Sequence, residues 1–190
     1  MSEIKHNEMV RALAKDGWLI KNEMSGGDCH LLHMALGFVG EVAELQEPFE
    51  EDCDQKPLDV ENVVEELGDM EFYLEGLRQG LGLEYEDIHS FSPRFGEDVS
   101  AQKALKNLVI LAGKVLDAVK RVVIYRKPVD IPLTSTLLYF VDGYMDAIRN
   151  HIKVTRQDTL DANISKLGKR YEGLRYSNQA AVDRADKMEN

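Results

Sequence analysis

The sequence predicts an all-α fold, a helical bundle with a four-helix core, and three observations predict it. Only five prolines interrupt 190 residues, so long stretches can keep the helical hydrogen-bond ladder unbroken. Apolar residues recur at i, i+3, i+4 and i+7 along most long segments, the spacing that lines one face of a helix. No segment alternates apolar and polar residues at period two between turn signals, so no sheet is expected.

The elements follow in order. Residues 3–20 (EIKHNEMVRALAKDGWLI) form a first amphipathic stretch, and Ser25-Gly26-Gly27 breaks the chain after it. Asp28 reads as the N-cap of a second helix, LLHMALGFVGEVAELQEPFE, because its carboxylate can accept orphan amide hydrogens. That helix ends near Pro48. After the polar loop EDCDQKP a third helix, LDVENVVEELGDMEFYLEGLRQGL, stops at Gly80 and Gly82. Residues 84–99 read as irregular, with Ser-Pro-Arg-Phe-Gly as the clearest breaker. Residues 101–126 form a long helix, Pro128 and Pro132 punctuate the chain, and LTSTLLYFVDGYMDAIRNHI forms another. A last helix begins near Thr159 and breaks up around Gly173, and residues beyond 178 are polar and expected to fray.

The second half resembles the first. Gly40-Glu41-Val42-Ala43-Glu44 lines up with Gly113-Lys114-Val115-Leu116-Asp117, and Lys56-Pro57-Leu58-Asp59-Val60 with Lys127-Pro128-Val129-Asp130-Ile131. Both landmarks recur after about 70 residues, which suggests a duplicated helical hairpin within one domain. Unit one covers about 25–90 and unit two about 100–175. Two unrelated hairpins sharing a common turn are the alternative. Pseudo-twofold symmetry and contact between hairpins 30–80 and 101–151 are expected of a duplication.

Composition narrows the function. Apolar residues make up 44% of the chain, enough for a real core. The net charge of −11 repels phosphate backbones and argues against nonspecific nucleic-acid binding. A small polyphosphate ligand remains compatible if a metal supplies positive charge. Cys29 and Cys53 form no CxxC pair, which fits a reducing cytosol and a cytoplasmic protein. The N-terminus MSEIKHNEMV lacks a signal peptide's apolar stretch, and no run approaches the ~20 apolar residues of a membrane span.

The chemistry-bearing pattern is a set of carboxylates. Glu41 and Glu44 form an ExxE pair on the second helix, and Glu66 and Asp69 an ExxD pair on the third. Spacing of three places each pair on one helix face. Glu41 borders the apolar stripe of Met34, Phe38 and Leu45, and Glu66 lies beside Met70 and Leu77. If the helices pair antiparallel, the four carboxylates converge partly away from water. Two like charges ~4 Å apart at an effective dielectric of ~20 repel by ~4 kcal/mol, so convergence raises pKa values or demands a cation. Hard oxygen donors without His or Cys point to Mg²⁺, or Mn²⁺, rather than Zn²⁺. A solvated acidic face is the alternative in a chain with 34 acids. Gly37, Gly40 and Gly68 among these carboxylates cost helix stability and suggest close approach of another backbone or a ligand.

LLHMALGFVGEVAEL followed by VVEELGDMEFYLEGL, with its string Glu66-Leu67-Gly68-Asp69, resembles the MazG-like branch of the all-α NTP pyrophosphatase superfamily. That superfamily also holds dimeric dUTPases and phosphoribosyl-ATP pyrophosphatases. LDAVKRVVIYRKPVD and ANISKLGKRYEG resemble its later segments. The resemblance implies Mg²⁺-dependent hydrolysis of a nucleoside triphosphate to the monophosphate and pyrophosphate, with a homodimer among its assemblies. It makes Glu41, Glu44, Glu66 and Asp69 metal ligands, and Lys120, Tyr125, Lys127, Asn163, Lys166, Arg170 and Tyr171 phosphate or sugar contacts. Some members carry an extra Glu before the ExxE motif where this chain has Gly40, so Glu65 or Glu44 would have to activate water. Unit two has Lys114 in place of Glu41 and lacks an ExxD, which implies metal from unit one and cationic side chains from unit two. A dUTP-specific enzyme, a phosphoribosyl-ATP hydrolase and a non-catalytic binding protein on the same scaffold stay open.

Other residues carry weaker signals. His30 and His33 lie one turn apart beside Cys29, but a zinc site lacks a fourth ligand at proper spacing. His33 is read as packing or as a nucleobase contact, and Trp18 as core or interface. The cluster Lys120-Arg121 to Arg126-Lys127 is read either as a solvated helix end or as a phosphate patch.

Overall fold

A computed structural model describes residues 5–52, 57–86, 95, 99–184 and 186. These contain helices α1 (His6–Leu13), α2 (Gly17–Glu23), α3 (Gly26–Glu44), α4 (Glu47–Asp52) and α5 (Val60–Leu81). They continue with α6 (Ala101–Val123), α7 (Ile131–Ile152), α8 (Arg156–Arg170) and α9 (Asn178–Asp183), with a 3₁₀ turn at Glu172–Leu174 between the last two. No strand occurs among the described residues. Most of 84–99, expected to be irregular, lies outside them.

The core is the expected four-helix arrangement. α3 packs against α5 and against α6, α6 packs against α7, and α5 touches α7, so the two hairpins are in contact. Phe38, Leu67, Met70, Leu108, Val141 and Ile148 are fully enclosed between them, the burial that drives such a bundle together. α8 packs on α5 as a fifth member. No helix among the described residues is long and apolar enough to cross a membrane.

Local chemistry moves several expected boundaries. The first amphipathic stretch is two helices, because Asp16 leaves the helical conformation and its carboxylate accepts from the amides of Trp18 and Leu19. Neither α1 nor α2 buries a residue, and Trp18 is largely exposed rather than core. Lys15 ties the arm to the body by donating to the Ile124 carbonyl at 2.7 Å. α3 starts at Gly26, with Ser25 and not Asp28 as its N-cap. Ser25 Oγ accepts from the Asp28 amide while the Asp28 carboxylate accepts from the Ser25 amide, a reciprocal capping box. α3 ends at Glu44, and the segment around Pro48 forms the separate α4. α8 starts at Arg156 under a similar box of Thr155 and Asp158, three residues before the expected start.

α5 and α7 match in detail. Each has 22 residues, an aspartate N-cap (Asp59, Asp130) and a left-handed C-cap, Gly82 at φ 67° and Lys153 at φ 60°. The glycine takes that conformation freely; the lysine takes it with the same pair of capping bonds to the carbonyls of the last turn.

Candidate metal and nucleotide site

The carboxylates of α3 and α5 meet because Glu41 and Glu66 flank the apolar seam between those helices. One ligand oxygen each from Glu41, Glu66 and Asp69 lies within 4.8 Å of the others, the one such metal-capable group among the described residues. Glu44 stands one turn beyond Glu41, exposed, and Glu65 is half-buried. Both line the same cavity without joining that group. The zinc alternative finds no support: Cys29 is exposed, and a His30 ring nitrogen lies 3.0 Å from the Gly76 carbonyl oxygen.

Burial and mutual repulsion act on these acids as electrostatics requires. Burial pushes the Glu41 carboxyl up to about 8, helped by the Asp69 charge and by a hydrogen bond to Glu66. Burial also raises Glu66, while the bond from Glu41 works the other way. The two carboxyls, both raised, therefore hold a proton between them more readily than free glutamates do. A divalent cation can replace that proton and relieve the repulsion, and the donor set, all carboxylate oxygen, suits a hard ion.

α8 completes the site from above α5, and Gly68 permits it. A Cβ at Gly68 would lie 2.7 Å from the Thr159 carbonyl oxygen and 3.0 Å from Asn163 Cβ. This close approach lets Asn163 donate to Asp69 Oδ1 at 2.6 Å. Lys166 Nζ bonds Glu65 at 2.9 Å and also contacts Asp69. Burial works against the Lys166 charge, yet its bonds to Asp69 and Glu65 hold its pKa above the ordinary lysine value. Gly37 does the same on α3: the Tyr73 ring occupies the space its Cβ would need. Gly40, by contrast, faces open space.

The resulting cavity encloses about 510 Å³. His33, Arg170 and Tyr171 line it as expected, the last two from the end of α8. Phe72, Tyr73, Tyr176 and Arg184 line it too and were not anticipated. Of the residues beyond 178, expected to fray, 179–183 instead belong to α9, and Ala181 and Arg184 line the cavity. Arg170 holds them by donating two bonds to the Asp186 carboxylate, at 2.7 and 2.6 Å.

Three expected contacts are not brought together with the carboxylates. Arg126 pairs with Asp28 at 2.7 Å, at the opposite end of α3 from Glu41. Glu41 follows Asp28 by thirteen helical steps, about 20 Å of helix. Lys120 at the end of α6 bonds Asp117 at 2.6 Å and sits 6.0 Å from the Tyr125 ring centroid. Lys127 lines a separate groove between α6 and α7. The basic stretch is a solvated helix end. The cations of the site come instead from α8 and the C-terminal segment. Compared with protein-family models, with curated proteins and with solved structures, the chain finds no match.

Proposed function

We propose that this chain is a Mg²⁺-dependent nucleoside triphosphate pyrophosphohydrolase, releasing the monophosphate and pyrophosphate. The observation that carries the reading is one cavity with two chemistries. Glu41, Glu66 and Asp69 crowd on one wall, Arg170 and Arg184 line the same cavity, and Lys166 touches Asp69 from the adjoining groove. Carboxylates so close together favour a divalent cation, and arginines in the same cavity favour the anion that arrives with it.

Glu41, Glu66 and Asp69 would hold the metal, which supplies charge neutralisation for the phosphates when bound. Asn163 fixes the Asp69 carboxylate in place through its 2.6 Å bond. Lys166, held against Asp69, and the cavity-lining Arg170 and Arg184 would supply positive charge to the phosphate oxygens. In the reaction an oxygen of water forms a bond to the α-phosphorus. The bond from that phosphorus to the bridging oxygen breaks, and pyrophosphate leaves with the electron pair. The water's proton passes to a carboxylate. Glu44 is better suited to receive it than Glu65, because Lys166 already engages Glu65 at 2.9 Å.

A panel of ribo- and deoxynucleoside triphosphates with Mg²⁺, assayed for pyrophosphate, tests the reading. Pyrophosphate as first product from at least one of them is expected. Folded protein that turns over none of them, or orthophosphate as first product, would sink it. Metal-dependent nucleotide binding without turnover would make the chain a binding protein on this scaffold.

A further inference from the structure

The carboxylates occupy only part of the cavity, and aromatic rings line much of the remainder beside Arg170 and Arg184. Phe72 lies one helical turn beyond Asp69 on α5 and is half exposed. Tyr171 ends α8. Gly173 at φ 63° and Leu174 at φ 54° then reverse the chain and return Tyr176 to the same cavity. The Tyr171 and Tyr176 rings lie 5.7 Å apart with planes inclined by 34°. The segment is fixed in place, since the Arg170–Asp186 pair anchors its far end with the Asp186 side chain almost wholly enclosed. Yet Tyr176 stays 72% exposed. An anchored segment that holds a tyrosine over a cavity leaves apolar ring surface in water, which is unfavourable until a flat partner covers it.

We infer that Tyr171, Tyr176 and Phe72 form a stacking platform for the heteroaromatic base of the nucleotide, and that the C-terminal segment is the base-recognising wall of the site. The inference rests on the reading of the carboxylate wall as a metal–polyphosphate site. A ligand with polyphosphate at one end and a planar ring at the other fits both walls at once. Stacking uses the π face that every base has, so this wall supplies affinity for a base with little choice among bases.

Binding to the full chain in Mg²⁺ separates the parts. The probes are α,β-imido-ATP, α,β-imido-UTP and inorganic tripolyphosphate, against the parent protein, Tyr176→Ala and Tyr176→Phe. The parent should bind both nucleotide analogues more tightly than tripolyphosphate. Tyr176→Ala should weaken both analogues roughly tenfold to a hundredfold, leave tripolyphosphate unchanged, and be rescued by Tyr176→Phe. Parent protein that binds tripolyphosphate as tightly as the analogues, or Tyr176→Ala that binds the analogues like the parent, would overturn the platform and leave the polyphosphate reading standing. Parent protein that binds none of the three probes would overturn both.

Discussion

Glu41 is the residue where sequence, fold and chemistry meet most directly. The packing of α3 on α5 takes its carboxyl out of water and sets it against Asp69 and Glu66, pushing it up to about 8. In the unfolded chain a glutamate titrates near 4.3. Between these two values the folded state binds more protons than the unfolded state, so stability of the metal-free protein falls as pH rises through this window. A bound divalent ion replaces the proton and should flatten that fall. Calorimetric titration with Mg²⁺ or Mn²⁺ at pH 7, repeated in buffers of different ionisation heat, should show about one proton released per ion. No release would mean that the ion does not engage Glu41. A second contrast concerns the lysines. Lys166→Ala removes a cation that touches Asp69 and Glu65 and should weaken nucleotide binding roughly tenfold to a hundredfold. Lys120→Ala, whose side chain is occupied by Asp117, should leave it unchanged. Equal effects of the two in an equilibrium binding assay would reject the separation of the basic helix end from the site.

At the scale of elements, the four core helices were readable because apolar periodicity persists over long segments and few prolines interrupt it. The ExxE and ExxD pairs were readable because spacing of three is a local property of a helix. What escaped depends on contacts that no local pattern marks. Ser25-Gly26-Gly27 reads as a breaker, yet Ser25 and Asp28 make it a capping box that starts α3. The basic density of 120–127 does not say which end of the bundle it occupies; the Arg126–Asp28 pair, spanning 98 residues, decides that. The return of the C-terminal segment rests on Arg170 and Asp186, a polar pair inside a stretch that looks unfoldable by composition. From the sequence Gly68 reads as a place of close approach, and α8 is what approaches. Gly68→Ala should therefore be destabilising by about 1–3 kcal/mol through overpacking against the Thr159 carbonyl, although alanine is the better helix former. Thermal unfolding measures it, and a variant as stable as the parent would mean that α8 can move outward without cost.

At the scale of the whole molecule, one buried charge joins three helices. Glu71 on α5 is 2% exposed and accepts from Arg149 of α7 at 2.6 Å. It also accepts from Arg156 at the start of α8 at 2.8 and 2.9 Å, and Arg78 of α5 lies 3.3 Å from the same carboxylate. Burial alone would raise the Glu71 pKa, but the three guanidinium groups overcome it and hold the carboxylate below the ordinary glutamate range. Arg78 and Arg149 occupy corresponding positions in α5 and α7, and each also pairs with an acid three residues before it, Glu75 or Asp146. The two helices thus meet through matching residues, with Glu71 between them. Because the site stands on α5 and α8, this hub fixes the frame on which Asp69, Asn163 and Lys166 are set. Glu71→Gln keeps the shape and removes the charge, leaving buried Arg78 and Arg149 with only their partly exposed partners Glu75 and Asp146. Breaking a buried pair from one side costs about 3–5 kcal/mol, so the denaturant midpoint should fall steeply with little change in slope. Adding Arg149→Met to Glu71→Gln should recover part of the loss, since a hydrophobic replacement removes the stranded charge. The depressed pKa also fixes the acid response. Stabilisation by Glu71 is complete above the unfolded glutamate value and is lost as pH falls toward the folded one, so the gap between parent and Glu71→Gln should narrow in acid. A gap that stays constant from neutral to acid pH, or a Glu71→Gln variant within about 1 kcal/mol of the parent, would show that the three helices are held by apolar packing alone.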